Sequence, residues 1–153
     1  FSTLPRLLER SGNSDKGSIT AFYTILVAGD DMNEPVADET RSILDGHLVM
    51  SRELANRGHY PAIDVSDSLS RVMSNIVDPD HLAAAQKLKE VVASYEKERD
   101  LILIGAYEGG TDPKVDYAIE KIEEVNEFLK QGVQDPSNLL EAVEQLKAIF
   151  GDI

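Results

Sequence analysis

The stretch Val77-Asp-Pro-Asp-His81 divides the sequence into two parts of different character. Before it, β-branched and apolar segments alternate with short amphipathic ones, an order of strands and helices that is typical of α/β domains. After it, no segment resembles a strand, and apolar residues recur at helical spacing. We therefore predict an α/β domain over residues 1–77 and an all-α helical bundle domain over residues 78–153.

The α/β part contains one segment with a strong strand pattern. Residues 17–27 are rich in β-branched and aromatic residues, which predicts a strand whose far end is buried on both faces. Residues 47–51 predict a shorter strand, and residues 36–44 and 52–56 predict short helices. The leucines of residues 4–8 share one face of a further helix.

Three amphipathic helices are predicted in the second part. Gly109 and Gly110 end the first helix, and Asp112 is a suitable N-cap for the second. Asp135 followed by Pro136 is predicted to open the third. The apolar stripes comprise Leu88, Val92, Tyr95 and Ile102 with Arg99 as an interruption, then Val115, Ile119, Ile122, Val125 and Leu129, then Leu140, Val143, Leu146 and Ile149.

Composition excludes several classes of protein. The 153 residues carry a formal net charge of −13, and residues 76–153 alone carry 17 acidic and 8 basic side chains. Such a chain attracts neither a phosphate backbone nor an anionic membrane, so we predict no nucleic-acid partner. The absence of cysteine excludes a disulfide scaffold and is compatible with a reducing cytosol.

The segment Gly12-Asn-Ser-Asp-Lys-Gly-Ser18 nearly matches a phosphate-binding loop. Such a loop has Lys after its last glycine and leads from a strand into a helix. Here Ser18 follows Gly17 and the segment leads into the predicted strand, so we interpret it as a surface loop.

Other polar residues give weaker signals. His47, His59 and His81 are scattered without metal-ligand spacing, and ordinary hydrogen-bonded histidines are the better interpretation. Asp30 and Asp31 have the chemistry to hold Mg²⁺ or to act as acid and base, but an exposed acidic loop explains them more simply.

Tyr60 and Arg71 lie in a segment, residues 57–71, that is too apolar for a plain loop and too interrupted for a helix. Tyr60 precedes Pro61, which favours an extended backbone and a fixed direction for the aromatic ring. Arg71 stands alone on what we interpret as a Ser-rich turn, where its planar head is suited to an anion on a facing surface. On residue types alone, a packing aromatic and a surface charge remain the commoner alternative.

Seven motifs follow one another between residues 4 and 71, and the match to which they belong covers almost the whole chain in order. They are Leu4-Pro-Arg-Leu-Leu-Glu-Arg-Ser-Gly12, Gly17-Ser-Ile-Thr-Ala-Phe-Tyr-Thr24, Gly29-Asp-Asp-Met-Asn-Glu-Pro35, Ile43-Leu-Asp-Gly-His47, Leu48-Val-Met-Ser-Arg-Glu-Leu-Ala55, Gly58-His-Tyr-Pro-Ala-Ile-Asp64 and Ser68-Leu-Ser-Arg71. In this order the sequence resembles the type III secretion ATPases, relatives of the catalytic subunits of rotary F- and V-type ATPases. The sequence of residues 72–81 is more similar to members of the flagellar export branch, and the injectisome branch is the alternative.

The resemblance implies a fold and an activity. The chain would be the C-terminal portion of a RecA-like P-loop ATPase domain followed by the helical domain. The whole protein would hydrolyse ATP with Mg²⁺ to export flagellar proteins from the cytoplasmic face of the export apparatus. Its P-loop and Mg²⁺ ligands would lie upstream of Phe1, so this piece alone is expected to be inactive. Without the central strands of that domain, residues 19–27 should expose apolar surface, which a companion chain carrying strands would cover.

The same resemblance assigns site residues. Tyr60, with Pro61 beside it, would stack on adenine, and the segment Phe128-Leu-Lys-Gln131 would close the other side of the base. Arg71 would be the arginine finger that reaches the nucleotide phosphate of a neighbouring subunit. The turn that contacts a central stalk would comprise Tyr107, Gly109, Gly110, Thr111 and Asp112.

Partners follow from the same family. We expect a homo-hexamer that meets the central stalk, peripheral regulator proteins, export substrates and their chaperones, and that reaches the membrane only through the export gate. Two alternatives stay open at this point. In the first alternative, the chain is only a non-catalytic assembly module that docks a stalk or chaperone protein. In the second, it is part of a non-catalytic regulatory subunit of the rotary type.

Overall fold

The computed structural model describes residues 3–151, beginning with a helix and a hairpin. Helix α1 is Thr3–Leu8, which confirms the predicted leucine-faced helix and buries Leu8. Strands β1 (Gly12–Ser14) and β2 (Gly17–Ile19) pair antiparallel, with Asn13 opposite Ser18. The sequence that nearly matches a phosphate-binding loop is therefore an exposed hairpin, and its interpretation as a surface element is confirmed.

The long buried strand predicted for residues 17–27 is wrong. Only Gly17–Ile19 is a strand, and residues 20–27 form neither helix nor strand. Phe22 and Leu26 are 90% and 91% exposed, so the apolar surface expected around residues 19–27 is present. A strand needs a neighbour for its backbone N–H and C=O groups, and within the described residues β2 pairs only with the three residues of β1.

Between residues 28 and 56 the predicted elements are confirmed. A short 3-10 turn, Ala28–Asp30, precedes helix α2, Pro35–Ile43. Strand β3 is Gly46–Met50 and helix α3 is Arg52–Asn56. The hydroxyl of Ser51 caps α3 by accepting the Leu54 amide at 3.3 Å.

A strand that the sequence pattern did not indicate follows α3. Strand β4, Ile63–Ser70, pairs with β3, and the amide of Val49 donates to the Ser68 hydroxyl at 3.0 Å. The expected Ser-rich turn is thus wrong, because the polar run Ser66-Asp67-Ser68 is held extended by a partner strand. Helix α4, Met73–Ile76, comes next.

The three predicted long helices are confirmed. They are α5 (Pro79–Leu103), α6 (Pro113–Leu129) and α7 (Leu139–Phe150). Asp112 caps α6 as expected, by accepting the Lys114 amide at 2.9 Å. The predicted start of the third helix at Asp135 is wrong. The Asp135 carboxylate instead accepts the Gly132 amide, and Asn138 caps α7.

The helices share one apolar core. It comprises Ala84, Leu88, Val91, Ala118, Ile122, Val125 and Leu146. Two members of the predicted stripes, Ile119 and Leu140, are exposed instead. On α6 the buried positions run through Ala118, because a narrow stripe at spacings of three and four leaves Ile119 on the flank.

The chain forms two compact units, one up to His47 and one from Leu48 onwards. The second unit contains β4 together with the three long helices. Among residues 3–151, no helix is both long and apolar enough to cross a membrane.

Candidate nucleotide-binding site

Tyr60 is presented on a tight turn after α3. Gly58 has φ of +71°, a left-handed conformation that suits glycine. His59 is buried, and Tyr60 is joined to Pro61 by a cis peptide bond. The Tyr60 side chain is 57% exposed, so the ring offers a face to a ligand rather than to the core.

The segment after α6 lies against this turn. The backbone amide of Gln131 donates to the carbonyl oxygen of Tyr60 at 2.9 Å. These residues are 71 positions apart in sequence, and the resemblance alone suggested that they meet. The structure therefore brings together Tyr60 and Gln131, two of the residues assigned to the base.

The side chains of this segment are engaged elsewhere. The Gln131 amide nitrogen Nε2 donates to the Asp135 carbonyl at 2.8 Å, and the Gly132 amide donates to Asp135 Oδ2 at 2.9 Å. Phe128 packs against the helical core. A Cβ at Gly132 would displace the Asp135 carboxylate, which accepts the Gly132 amide. Gln131 accordingly contributes its backbone amide to the turn.

The residue before Tyr60 is an uncharged histidine at neutral pH. Burial lowers the pKa of His59, and the nearby cations Lys130 and Arg57 lower it further. A charged imidazole there would be unpaired against two positive groups.

A network of four charges anchors α3 to α5. Glu53 accepts hydrogen bonds from Arg57 and from Arg99, the latter at 3.2 Å. Glu96 completes the network, at 3.5 Å from Arg57 and 3.7 Å from Arg99. The two guanidinium groups, Arg57 first, lower the pKa of the Glu53 carboxyl. Sequence analysis missed this network. The one signal for it was Arg99, a charged residue that interrupts the apolar stripe of α5.

Arg71 lies at the other end of β4 from Tyr60. Its side chain is exposed, directly after Ser70. The eight residues of Ile63–Ser70, at about 3.3 Å each, extend over roughly 25 Å. The structure therefore does not bring Tyr60 and Arg71 into one site, which is compatible with their assignment to different nucleotides.

The turn assigned to a stalk contact is fastened by one carboxylate. Asp116 Oδ1 accepts the Tyr107 hydroxyl at 3.0 Å, and Oδ2 accepts the Gly110 amide at 2.9 Å. Burial raises the pKa of Tyr107, as does its bond to Asp116. Thr111 and Asp112 follow within the same turn, where Asp112 caps α6. Asp116 was missed because sequence spacing does not show which carboxylate folds back onto a loop.

Metal-binding chemistry is not assembled in the part of the chain from Thr3 to Gly151. No three His, Asp or Glu side chains there lie close enough to hold an ion. His47, His59 and His81 lie apart from one another in sequence and form no such group.

Two family models match the chain in succession. Residues 1–70 match the nucleotide-binding domain of the ATP synthase alpha/beta family, which defines the class as a nucleotide-binding ATPase subunit. Residues 77–148 match the C-terminal domain of the type III secretion ATPase EscN. The chain therefore belongs to the type III secretion ATPases of the ATP synthase alpha/beta family. The resemblance seen in the sequence and the predicted fold class are both confirmed.

Curated relatives come from both branches of this family. The flagellum-specific ATP synthase of Bacillus subtilis is 51% identical over 99% of this chain and 35% of its own length. The SPI-2 type 3 secretion system ATPase of Salmonella typhimurium is 52% identical over 95% of this chain and 34% of its own length. The chain thus spans about a third of the curated relatives it matches.

Solved structures agree with this assignment. The assembled ATPase EscN from the type III secretion system of enteropathogenic E. coli is 47% identical, with a TM-score of 0.93 over 98% of this chain and 36% of that one. EscN in complex with its central stalk EscO is 46% identical, with a TM-score of 0.87 over 99% of this chain and 36% of that one.

Proposed function

We propose that this chain is the C-terminal part of an ATPase that hydrolyses ATP to drive type III protein export. The hydrogen bond from the Gln131 amide to the Tyr60 carbonyl carries this proposal. It joins the backbone after α6 to the backbone of the turn that carries the exposed Tyr60 ring, which supports a base-binding site to which both segments contribute. Tyr60 then stacks on adenine, because a flat aromatic ring offers a large contact face with few rotamers to lose.

Arg71 acts on the phosphate held by a neighbouring subunit. Its exposure, and the roughly 25 Å of strand between it and Tyr60, support a role outside its own subunit's base pocket. An arginine supplied in trans stabilises the charge of the transferring phosphoryl group and contributes about 10³–10⁵ in rate. The guanidinium fork matches the phosphate oxygens better than an ammonium group does.

ATP and Mg²⁺ also require residues that this part of the protein does not supply. Residues 3–151 contain no group of three metal-ligating side chains, and the segment resembling a phosphate-binding loop is a hairpin. We therefore assign the P-loop and the Mg²⁺ ligands to the remaining two thirds of the protein. This chain contributes one wall of the base pocket and the finger for the next subunit.

The proposed roles of Tyr60 and Arg71 imply that several subunits assemble, because Tyr60 serves its own subunit's nucleotide and Arg71 that of a neighbour. A finger that serves the neighbouring subunit requires a closed ring, so we assign a homo-hexamer working at the cytoplasmic face of an export apparatus. The turn of Tyr107, Gly109, Gly110, Thr111 and Asp112 would meet a central stalk, as the EscN complex with its stalk EscO supports. Regulators, chaperones and export substrates would bind the same assembly.

Paired substitutions in the full-length protein test both roles. We expect Arg71→Ala to lower kcat by about 10³-fold or more while ATP still binds, because the finger acts only in the transition state. Tyr60→Ala should instead weaken ATP binding first, while Tyr60→Phe keeps the stacking face and remains close to wild type. Steady-state hydrolysis and titration calorimetry with a non-hydrolysed ATP analogue separate these effects.

Arg71→Lys is the matched control, since it keeps the charge and loses the planar fork. Wild-type turnover by Arg71→Ala in an assembled ring would reject the finger and favour a non-catalytic assembly module. The export branch needs a separate test, because flagellar and injectisome relatives are 51% and 52% identical. Restored swimming in a strain lacking its flagellar export ATPase would support the flagellar assignment.

A further inference from the structure

One side chain of the helical bundle reaches the strand that ends at Arg71. Lys89 of α5 donates from Nζ to the carbonyl oxygen of Ser68 at 2.7 Å. Ser68 lies three positions before Arg71, so only Leu69 and Ser70 separate the two. The contact therefore links the helical domain to the backbone that carries the proposed finger.

Ser68 is held from a second side as well. Its hydroxyl accepts the Val49 amide of β3 at 3.0 Å and donates to the carbonyl of Asp64. Earlier in the same strand, Val65 packs against the helical core. Lys89 thus attaches β4 to α5 three positions before Arg71.

We propose that Lys89 is a positioning residue for Arg71, fixing the end of β4 so that the guanidinium reaches the neighbouring subunit's nucleotide. This inference rests on the proposed function. Leu69 and Ser70 can each rotate only about the two backbone dihedrals φ and ψ. When the Ser68 carbonyl is held in place, the few rotations that remain restrict the positions that Arg71 can reach. A hydrogen bond from a cation to a carbonyl is among the stronger ones, and an ammonium needs only one acceptor.

The expected defect is kinetic. Displacing a catalytic group by about 1 Å can cost about 100-fold in rate, so Lys89→Met should lower kcat by about 10- to 100-fold in the full-length enzyme. KM and the affinity for a non-hydrolysed ATP analogue should stay within about twofold of wild type, because Tyr60 is unaffected. Lys89→Arg restores a donor and should recover most of the rate.

Lys97→Met is the matched control. Lys97 lies on the same helix, is 69% exposed at its side chain and pairs only locally, with the adjacent Glu98 at 3.3 Å. Its loss changes the net charge by the same amount without touching β4. Wild-type kcat for Lys97→Met beside a reduced kcat for Lys89→Met would separate position from charge.

A double-mutant cycle shows whether Lys89 acts through Arg71. In the Arg71→Ala background, Lys89→Met should change single-turnover hydrolysis by less than about twofold, because nothing is left to position. An equal loss in both backgrounds, or wild-type kcat for Lys89→Met alone, overturns the inference. If Lys89→Met does not assemble, Lys89→Gln carries the same test, since its amide is too short to reach the same carbonyl unchanged.

The two proposals fail in distinguishable ways. Wild-type turnover by Arg71→Ala rejects the finger itself. Strong loss for Arg71→Ala with wild-type turnover for Lys89→Met leaves the finger intact and rejects only the positioning role of Lys89.

Discussion

The two compact units of this chain treat their apolar side chains in opposite ways. In the unit from Leu48 onwards, Val115 and Val125 are fully buried between packed helices. In the unit up to His47, Phe22 and Leu26 point almost entirely into solvent. The difference is one of backbone hydrogen bonding. A helix satisfies most of its own amides and needs only a partner for one face, whereas a strand needs at least one neighbouring strand to pair its backbone groups.

The contrast also places the packed core and both proposed site residues in the same part of the chain. The helical core supports β4, since Val65 packs against it, and Lys89 and the Arg99–Glu53 pair attach to the same unit. Residues 20–27 have no comparable support among residues 3–151. Both proposed site residues, Tyr60 and Arg71, therefore lie in the unit that folds around its own core.

Hydrogen exchange should show the largest difference between the units. Amides of Val91 and Val125, which lie inside α5 and α6 and belong to the helical core, should be protected by about 10³-fold or more, because they exchange only when that core unfolds. Amides of residues 20–27 should exchange at close to unprotected rates. Mass spectrometry of the 153-residue chain after a timed exchange measures both. Strong protection of residues 20–27 would contradict the contrast and indicate a paired strand.

Truncation of one leucine in each unit should give the next largest effect. Leu88→Ala removes a buried side chain from the helical core and should cost about 2–5 kcal/mol of unfolding free energy. Leu26→Ala removes the same atoms from an exposed position and should change it by less than about 0.5 kcal/mol. Urea unfolding followed by circular dichroism compares the two variants. Equal costs would mean that residues 20–27 have a packing partner.

The helical unit was largely predictable from the sequence, because helix periodicity and caps are local signals. Asp112 and Pro113 marked the start of α6 correctly. Strand β3 was predicted as well, but β4 was not, since its polar residues are held extended by pairing with β3. The prediction of a strand over residues 17–27 was wrong for the converse reason. These residues have the composition of a strand, but among the described residues they pair only with β1, over Gly17–Ile19.

The residues of the candidate site likewise fall into those that the sequence indicated and those that only the structure revealed. The resemblance identified Tyr60, Gln131 and Arg71, and the structure brings the first two into contact. It gave no hint of Lys89, Asp116 or the charge network around Glu53. These side chains contact residues distant in sequence or bind loop backbone, and no spacing rule encodes such contacts. Positioning residues therefore came from the structure, while the roles of the assigned residues stay predictions.

A charge at the start of the helical unit should give the smallest effect, and it depends on pH. Asp78 accepts the His81 amide at 2.8 Å as the N-cap of α5 and pairs with Lys147 of α7 at 3.0 Å. The bond to the His81 amide, followed by that to Lys147, lowers the pKa of Asp78. A lowered pKa means that the folded state gains stability above the ordinary carboxyl pKa and loses it as pH falls through that range.

Asp78→Asn isolates this charge, because Asn also caps helices well. The difference in unfolding free energy between wild type and Asp78→Asn should be largest near about pH 7 and shrink as pH falls below the ordinary carboxyl pKa and through the lowered pKa of Asp78. In a Lys147→Met background the pH-dependent difference should be smaller yet still present, since the His81 amide remains. Urea unfolding at several pH values measures it. A difference that stays constant with pH would show that the carboxylate charge contributes nothing to stability. The difference in stability between the helical unit and the exposed segment of residues 20–27 would then come from packing, without this charge.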